Sequence, residues 1–228
     1  MKLLHRLYQV CAPSLTHQFD ANAYLLDTDE GLYLIDCGTP KGYARCLQNI
    51  RALGYDPSSI KAIFGTHGHY DHVGSAYRFF EDFGTVLYLH GADRLQVESG
   101  DSQKTTASLL YGTEFTPCKV SHELTDKQVF DFHSHKLEII HTPGHSPGSI
   151  CISIHTHDLK VLIASDTLYG GFSPKIGSDE IAWKASLEKL AALHFDLMSF
   201  GHCSPGLLSD VSNRIDCAKR SFANYYVP

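Results

Sequence analysis

Residues 66–72, Thr66-His67-Gly68-His69-Tyr70-Asp71-His72, put three imidazoles and one carboxylate into a single short segment. Few ways of folding a chain can satisfy such a segment. Neutral imidazole and carboxylate are the nitrogen and oxygen ligands that zinc and its first-row neighbours take. Ile60-Lys61-Ala62-Ile63-Phe64 reads as a buried strand before the segment, and residues 73–83 read as a helix after it. The ligands therefore fall on a strand-to-helix turn, where α/β proteins place chemistry. In an extended turn, residues two apart point the same way. That lets His67 and His69 grip one metal while Asp71 and His72 face a second.

Composition narrows the class. The chain has 228 residues, enough for one substantial core, and is expected to form one domain over 1–228. A net charge of -6 argues against a nucleic-acid partner, because phosphates favour a basic surface. The opening Met1-Lys2-Leu3-Leu4-His5-Arg6-Leu7 is broken by charge, and no long apolar run follows, so no membrane association is expected and a cytoplasmic address follows. Seven cysteines without a CxxC pair read as scattered thiols in a reducing compartment.

In chain order, the apolar runs 3–10, 22–26 and 32–35 read as a strand meander. Asp36 then stands at a strand end before Gly38, either hydrogen-bonding toward the metal turn or closing an ordinary turn. Pro40 marks a helix start, with the helix running to Leu53 and Gly54. Residues 85–89 form another strand, and the mixed stretch 92–116 gives no clear pattern. Within it, Leu109-Leu110-Tyr111 either lines a substrate entrance or packs. Three strands are expected from Gln128 onward, with the pairs His133/His135 and His155/His157 at exposed hairpin turns and no catalytic metal assigned to them.

A second informative stretch is Ile140-His141-Thr142-Pro143-Gly144-His145-Ser146-Pro147-Gly148-Ser149. Its Pro-Gly turn delivers His145 from a strand end as the third ligand of the first metal. The strand 161–164 ends at Ser165-Asp166-Thr167, and residues 197–199 lead to Phe200-Gly201-His202. Several strand-end loops thus each offer one ligand, which is how a rigid scaffold builds a polar site.

These motifs, in this order from about Asp36 to His202, resemble the metallo-β-lactamase superfamily. The resemblance implies a four-layer αββα sandwich of two mixed sheets. It also assigns His67, His69 and His145 to one metal, Asp71, His72 and His202 to a second, and Asp166 to the bridge. Ser165 stands where many members have glycine. Two divalent ions, zinc in first place with iron or manganese as alternatives, would share a water whose pKa falls toward neutrality. Its hydroxide attacks a carbonyl, so no Ser or Cys nucleophile is needed, and Cys203 reads as an inert packed thiol.

The same motifs are similar to those of hydroxyacylglutathione hydrolases, which makes a small-molecule acyl substrate, a thioester, the leading expectation. Only some twenty-six residues follow His202, too few for that branch's helical extension with its basic glutathione contacts. Tyr169 lies three residues after Asp166, the spacing of a tyrosine in acyl-homoserine lactonases of the superfamily. It joins Asp71 as a catalytic candidate, with a packed loop tyrosine as the alternative. A mononuclear iron sulfur dioxygenase is the expectation of another class.

Overall fold

The computed structural model describes residues 1–156, 159–202 and 206–220. Seven strands form one mixed sheet in sequence order: β1 (Lys2–Leu4), β2 (Leu7–Cys11), β3 (Ala23–Thr28), β4 (Gly31–Ile35), β5 (Ile60–Phe64), β6 (Val86–His90) and β7 (Val120–Leu124). Five more, β8 (Val129–Asp131), β9 (Lys136–His141), β10 (Ile150–Thr156), β11 (Leu159–Ile163) and β12 (Leu197–Ser199), form a second in the order β12-β11-β10-β9-β8. The helices are α1 (Tyr43–Ala52), α2 (Tyr70–Val73), α3 (Ala76–Phe83), α4 (Gly91–Ser99), α5 (Ala107–Tyr111), α6 (Glu180–Ala191) and α7 (Val211–Arg220).

Strict alternation along the strands creates the layers, because successive side chains leave opposite faces of a sheet. Tyr24, Leu26, Tyr33 and Ile35 meet Ile150, Ile152, Ile154, Val161 and Ile163 between the two sheets. Their neighbours Leu25 and Leu34 face outward under Cys46, Ile50 and Phe79 of α1 and α3. Cys151 and Leu162 likewise face Trp183, Leu187, Leu190 and Ile215 of α6 and α7. Helices on both outer faces of two stacked sheets make the expected αββα sandwich. Among the described residues, no helix is long and apolar enough to cross a membrane.

Strand direction decides where the loops gather. β4, β5 and β6 are parallel, and so are β11 and β12, while β9 runs antiparallel to β10 and β10 to β11. The C-terminal ends of β4 and β5 therefore share one edge of the first sheet, and those of β9, β11 and β12 share one edge of the second. Ile150 N donates to Thr66 O at 2.8 Å and joins the two edges.

Several local expectations are corrected. The helix over 73–83 is split into α2 and α3, because His72 O accepts from Cys37 N (2.8 Å) and Gly38 N (3.1 Å) instead of the next helical turn. The helix expected from Pro40 begins at Tyr43. The unclear stretch 92–116 contains α4 and α5. β7 escaped notice because only its end residues, Val120 and Leu124, are buried. No expectation covered α6, whose start is capped by the Asp179 carboxylate accepting from Ile181 N and Ala182 N.

Candidate metal centre

The turn after β5 is held open by Asp36, whose backbone takes a left-handed φ of 56° at the end of β4. One carboxylate oxygen accepts from Thr66 N at 2.8 Å. The other accepts from the Thr66 hydroxyl at 2.8 Å and faces His72 Nδ1 at 2.8 Å. Of its two sequence readings, the hydrogen-bonding one is what the fold contains. With its Nδ1 engaged, His72 turns Nε2 inward. His145 is oriented in the same way, since its Nδ1 donates to Gly171 O at 2.6 Å.

Three trios of ligand atoms result, each with its atoms within 4.8 Å of one another: His67, His69 and His145; His67, His72 and Asp166; and Asp71, His72 and His202. Asp166 lies between the two outer trios, 3.6 Å from His145 Nε2, 3.4 Å from His72 Nε2 and 3.3 Å from His202 Nε2. His202 also stands 3.0 Å from Asp71 and is the most open member, with 38% of its side chain exposed. All seven residues named from the sequence as metal ligands are therefore brought together. The approach is close at Gly201, where a Cβ would stand 1.8 Å from the Asp166 carboxylate.

The donor set fits metal ions. Nε2 of His67 and of His69 is buried without a hydrogen-bond partner, an arrangement that is costly unless something takes up that nitrogen. Burial, followed by the neighbouring imidazoles, holds His67 and His69 well below the ordinary histidine range. Burial also lowers His145. All three are therefore neutral, the form that binds metal. At the other trio, burial opposes charge on His72, but Asp71, Asp166 and Asp36 outweigh it and carry it up to about 10. Burial likewise disfavours the Asp71 charge, yet His72 and His202 bring that carboxyl down to about 2. Asp166 is held low and His202 high by the same reciprocal attraction, each against its own burial. The His/Asp cluster suits a dinuclear metal site.

Above the cluster opens a cleft of about 590 Å³. His69, Asp71, His145, Asp166 and His202 form its floor, and Leu109, Leu110, Tyr111, Tyr169 and Ile176 contribute to its walls. Leu109-Leu110-Tyr111 thus lines an entrance. Tyr169 has a left-handed φ of 70° and donates its hydroxyl to Arg214 O at 3.2 Å, with its ring against Phe200. Burial, and after it the nearby Asp71 charge, drives the Tyr111 phenol upward. Sequence reasoning did not single out that hydroxyl, because residues 107–111 carry no motif. It missed Asp93 for the same reason.

Of the other histidine pairs, His133 is exposed at the turn between β8 and β9 as expected, while its companion and His155 depart from expectation. His135 is only 1% exposed rather than at a solvated turn, and His155 lies within β10. Neither belongs to a metal-type cluster among the described residues. His157, Asp158 and Cys203 lie outside the described residues. The other six cysteines are all free thiols, five of them buried.

Known proteins resemble the chain in sequence and in fold. "Probable metallo-hydrolase YqgX" of Bacillus subtilis is 29% identical over 179 residues, covering 78% of this chain and 79% of that protein. "Hydroxyacylglutathione hydrolase GloC" of Haemophilus influenzae is 30% identical over 156 residues, covering 67% and 69%. Among solved structures, the subclass B3 metallo-beta-lactamase BJP-1 of Bradyrhizobium japonicum superposes with a TM-score of 0.81 at 21% identity, over 98% of this chain and 92% of that one. The class B3 di-zinc enzyme LRA-12 from an Alaskan soil metagenome gives 0.78 at 22% identity, over 99% and 93%. At those identities the structures speak for the fold alone. The family model described as "Metallo-beta-lactamase superfamily" matches residues 18–202, from the loop before β3 to the last ligand, and the chain belongs to that superfamily.

Proposed function

We propose that the protein hydrolyses a small, uncharged acyl compound, a thioester in first place, with two divalent metal ions held by the seven clustered ligands. The observation that carries this reading is the pair of ligand trios joined through Asp166 on the floor of an open cleft. His67, His69 and His145 would hold one ion, Asp71, His72 and His202 the other, and Asp166 both. Such ions, zinc above all, supply a hydroxide near neutral pH and stabilise charge on a carbonyl oxygen. The chain's own contribution is orientation. Asp36 and Gly171 fix two imidazoles by their far nitrogens, and Tyr111 lines the cleft near the Asp71 charge.

The cleft wall bears on the substrate. Among the described residues no Lys or Arg lines it, and the undescribed positions contain none. Glutathione thioesters carry carboxylates and coenzyme A thioesters carry phosphates, and anions of both kinds call for cationic partners. The name of the Haemophilus relative supports thioester chemistry, whereas the wall favours an uncharged acyl compound, so a neutral lactone is the second reading. The second trio speaks against a mononuclear iron dioxygenase, which needs one ion only.

The experiment is metal analysis of the purified chain combined with a hydrolysis panel of glutathione thioesters, coenzyme A thioesters, simple uncharged thioesters, lactones and phosphodiesters. Two ions per chain and preference for an uncharged thioester are expected. Asp166→Asn should lose the second ion first, together with most of the turnover. One iron per chain with oxygen consumption would replace the hydrolase reading by the dioxygenase one.

A further inference from the structure

Asp93 belongs to no recognised motif and hydrogen-bonds none of the seven ligand side chains, yet its side chain is wholly buried in the first turn of α4. A carboxylate so placed needs strong compensation, because burial disfavours its charge. It receives three hydrogen bonds. One oxygen accepts from Gly68 N at 2.8 Å and from the Ser146 hydroxyl at 2.7 Å, and the other accepts from Gly148 N at 2.8 Å. Gly68 lies between His67 and His69, and Ser146 follows His145. The first loop leaves β5 of the seven-stranded sheet, and the second joins β9 to β10 of the other.

We infer that Asp93 is the positioning residue of the three-histidine site, a single carboxylate clasp that fixes the two-histidine loop against the loop bearing the third. This inference rests on the metal-dependent reading proposed above. No ligand of the other trio adjoins an Asp93 partner in the same way, and Asp36 orients His72 there instead. Asp36 also holds Thr66, whose hydroxyl lies 3.1 Å from His67 Nδ1, and so bears on both sites, whereas the Asp93 contacts all fall on the two loops of the three-histidine site. The close fit supports the clasp: a Cβ on Gly148 would stand 2.5 Å from the Asp93 carboxylate carbon, so that loop approaches only as glycine. In Asp93→Asn, an NH2 group replaces one acceptor and faces either Gly68 N or Gly148 N, both of which are donors. One loop is released while shape is kept.

The test reads metal affinity at each site separately, with cobalt(II) as the probe, followed by its visible absorption. A His202→Ala parent isolates the three-histidine site, and a His145→Ala parent isolates the other. Adding Asp93→Asn to the first parent should weaken cobalt binding by roughly tenfold to a hundredfold, the range for losing a group that orients ligands, and shift the absorption bands. Added to the second parent, it should change affinity less than about threefold. Equal weakening at both sites, or none at the first, overturns the clasp. If neither parent binds cobalt, the metal-dependent reading itself fails, which is a different outcome. Should Asp93→Asn not fold, Ser146→Ala in the first parent removes one of the three contacts and should give a smaller loss confined to that site; an unchanged affinity there also overturns the inference.

Discussion

Tyr111 and Tyr169 face the same cleft, but their hydroxyls are differently committed. Tyr169 donates to a backbone carbonyl of α7, whereas the Tyr111 phenol lies within the influence of the Asp71 charge at the cluster. A hydroxyl matters to the chemical step only if it can meet the developing oxyanion or hold a group that does. Replacing either tyrosine with phenylalanine keeps the ring and most of its packing. Tyr111→Phe is therefore expected to lower kcat/KM by about tenfold to a hundredfold, and Tyr169→Phe to stay within about threefold of wild type. Assays on a lactone and an uncharged thioester side by side, with metal content measured in each variant, decide the matter. A larger loss in Tyr169→Phe, on the lactone above all, would restore the role that its spacing after Asp166 suggested.

Between elements, the end of β6 meets the end of β9 through His90 and His141, whose rings stack with centroids 3.8 Å apart and planes 14° from parallel. His90 also accepts from Ala92 N at 3.3 Å and so caps α4, the helix that carries Asp93. Burial, followed by the His141 ring, brings His90 down to about 4, although Asp126 and Glu123 pull the other way. The unfolded chain binds that proton near pH 6.5 and the folded one only near 4, so the unfolded state holds more protons in between. Stability from this pair should be complete above pH 6.5 and decline as pH falls toward 4. Denaturant titrations across that window should show the decline in wild type and a flatter profile in His90→Gln; identical profiles would leave the stack without a role. Nothing in the sequence announced this contact, because it joins residues fifty-one positions apart on different sheets. The elements that were legible are those with a local signal: β3, β4, β5 and β11 through their apolar runs, and the turn at 66–72 through its ligands. The break between α2 and α3 was not legible, since it depends on Cys37 and Gly38 claiming a distant carbonyl. The seven ligands could be named in advance because metal chemistry constrains residue type and order. Asp93 and the Tyr111 hydroxyl act through contacts that only the assembled sheets create.

For the molecule as a whole, the metal centre draws its ligands from loops after β5, β9, β11 and β12, so whatever binds there ties the two sheets together. The two outer trios differ in protonation before metal arrives. His67, His69 and His145 are neutral, whereas His72, carried up to about 10, and His202, held well above its ordinary range, keep their protons at pH 7. An ion entering at Asp71, His72 and His202 has to displace those protons, and one entering at the three histidines does not. The apparent affinity of the former site should therefore rise with pH, by up to about tenfold per pH unit for each proton released, until pH passes about 10 for His72. The three-histidine site should change little above pH 6.5. Calorimetric zinc titrations in buffers of different ionisation enthalpy count the released protons directly, and one to two per chain are expected at pH 7 on filling the second site. Because metal binds the folded chain in preference to the unfolded one, saturation at a hundredfold excess over Kd should add about 2.7 kcal/mol of stability. Melting curves at pH 6 and pH 8 with a fixed low zinc concentration should then show the larger upward shift at pH 8. An equal shift at both, with no protons released, would mean that the Asp71 trio fills without displacing a proton and that His72 and His202 are neutral before metal binds.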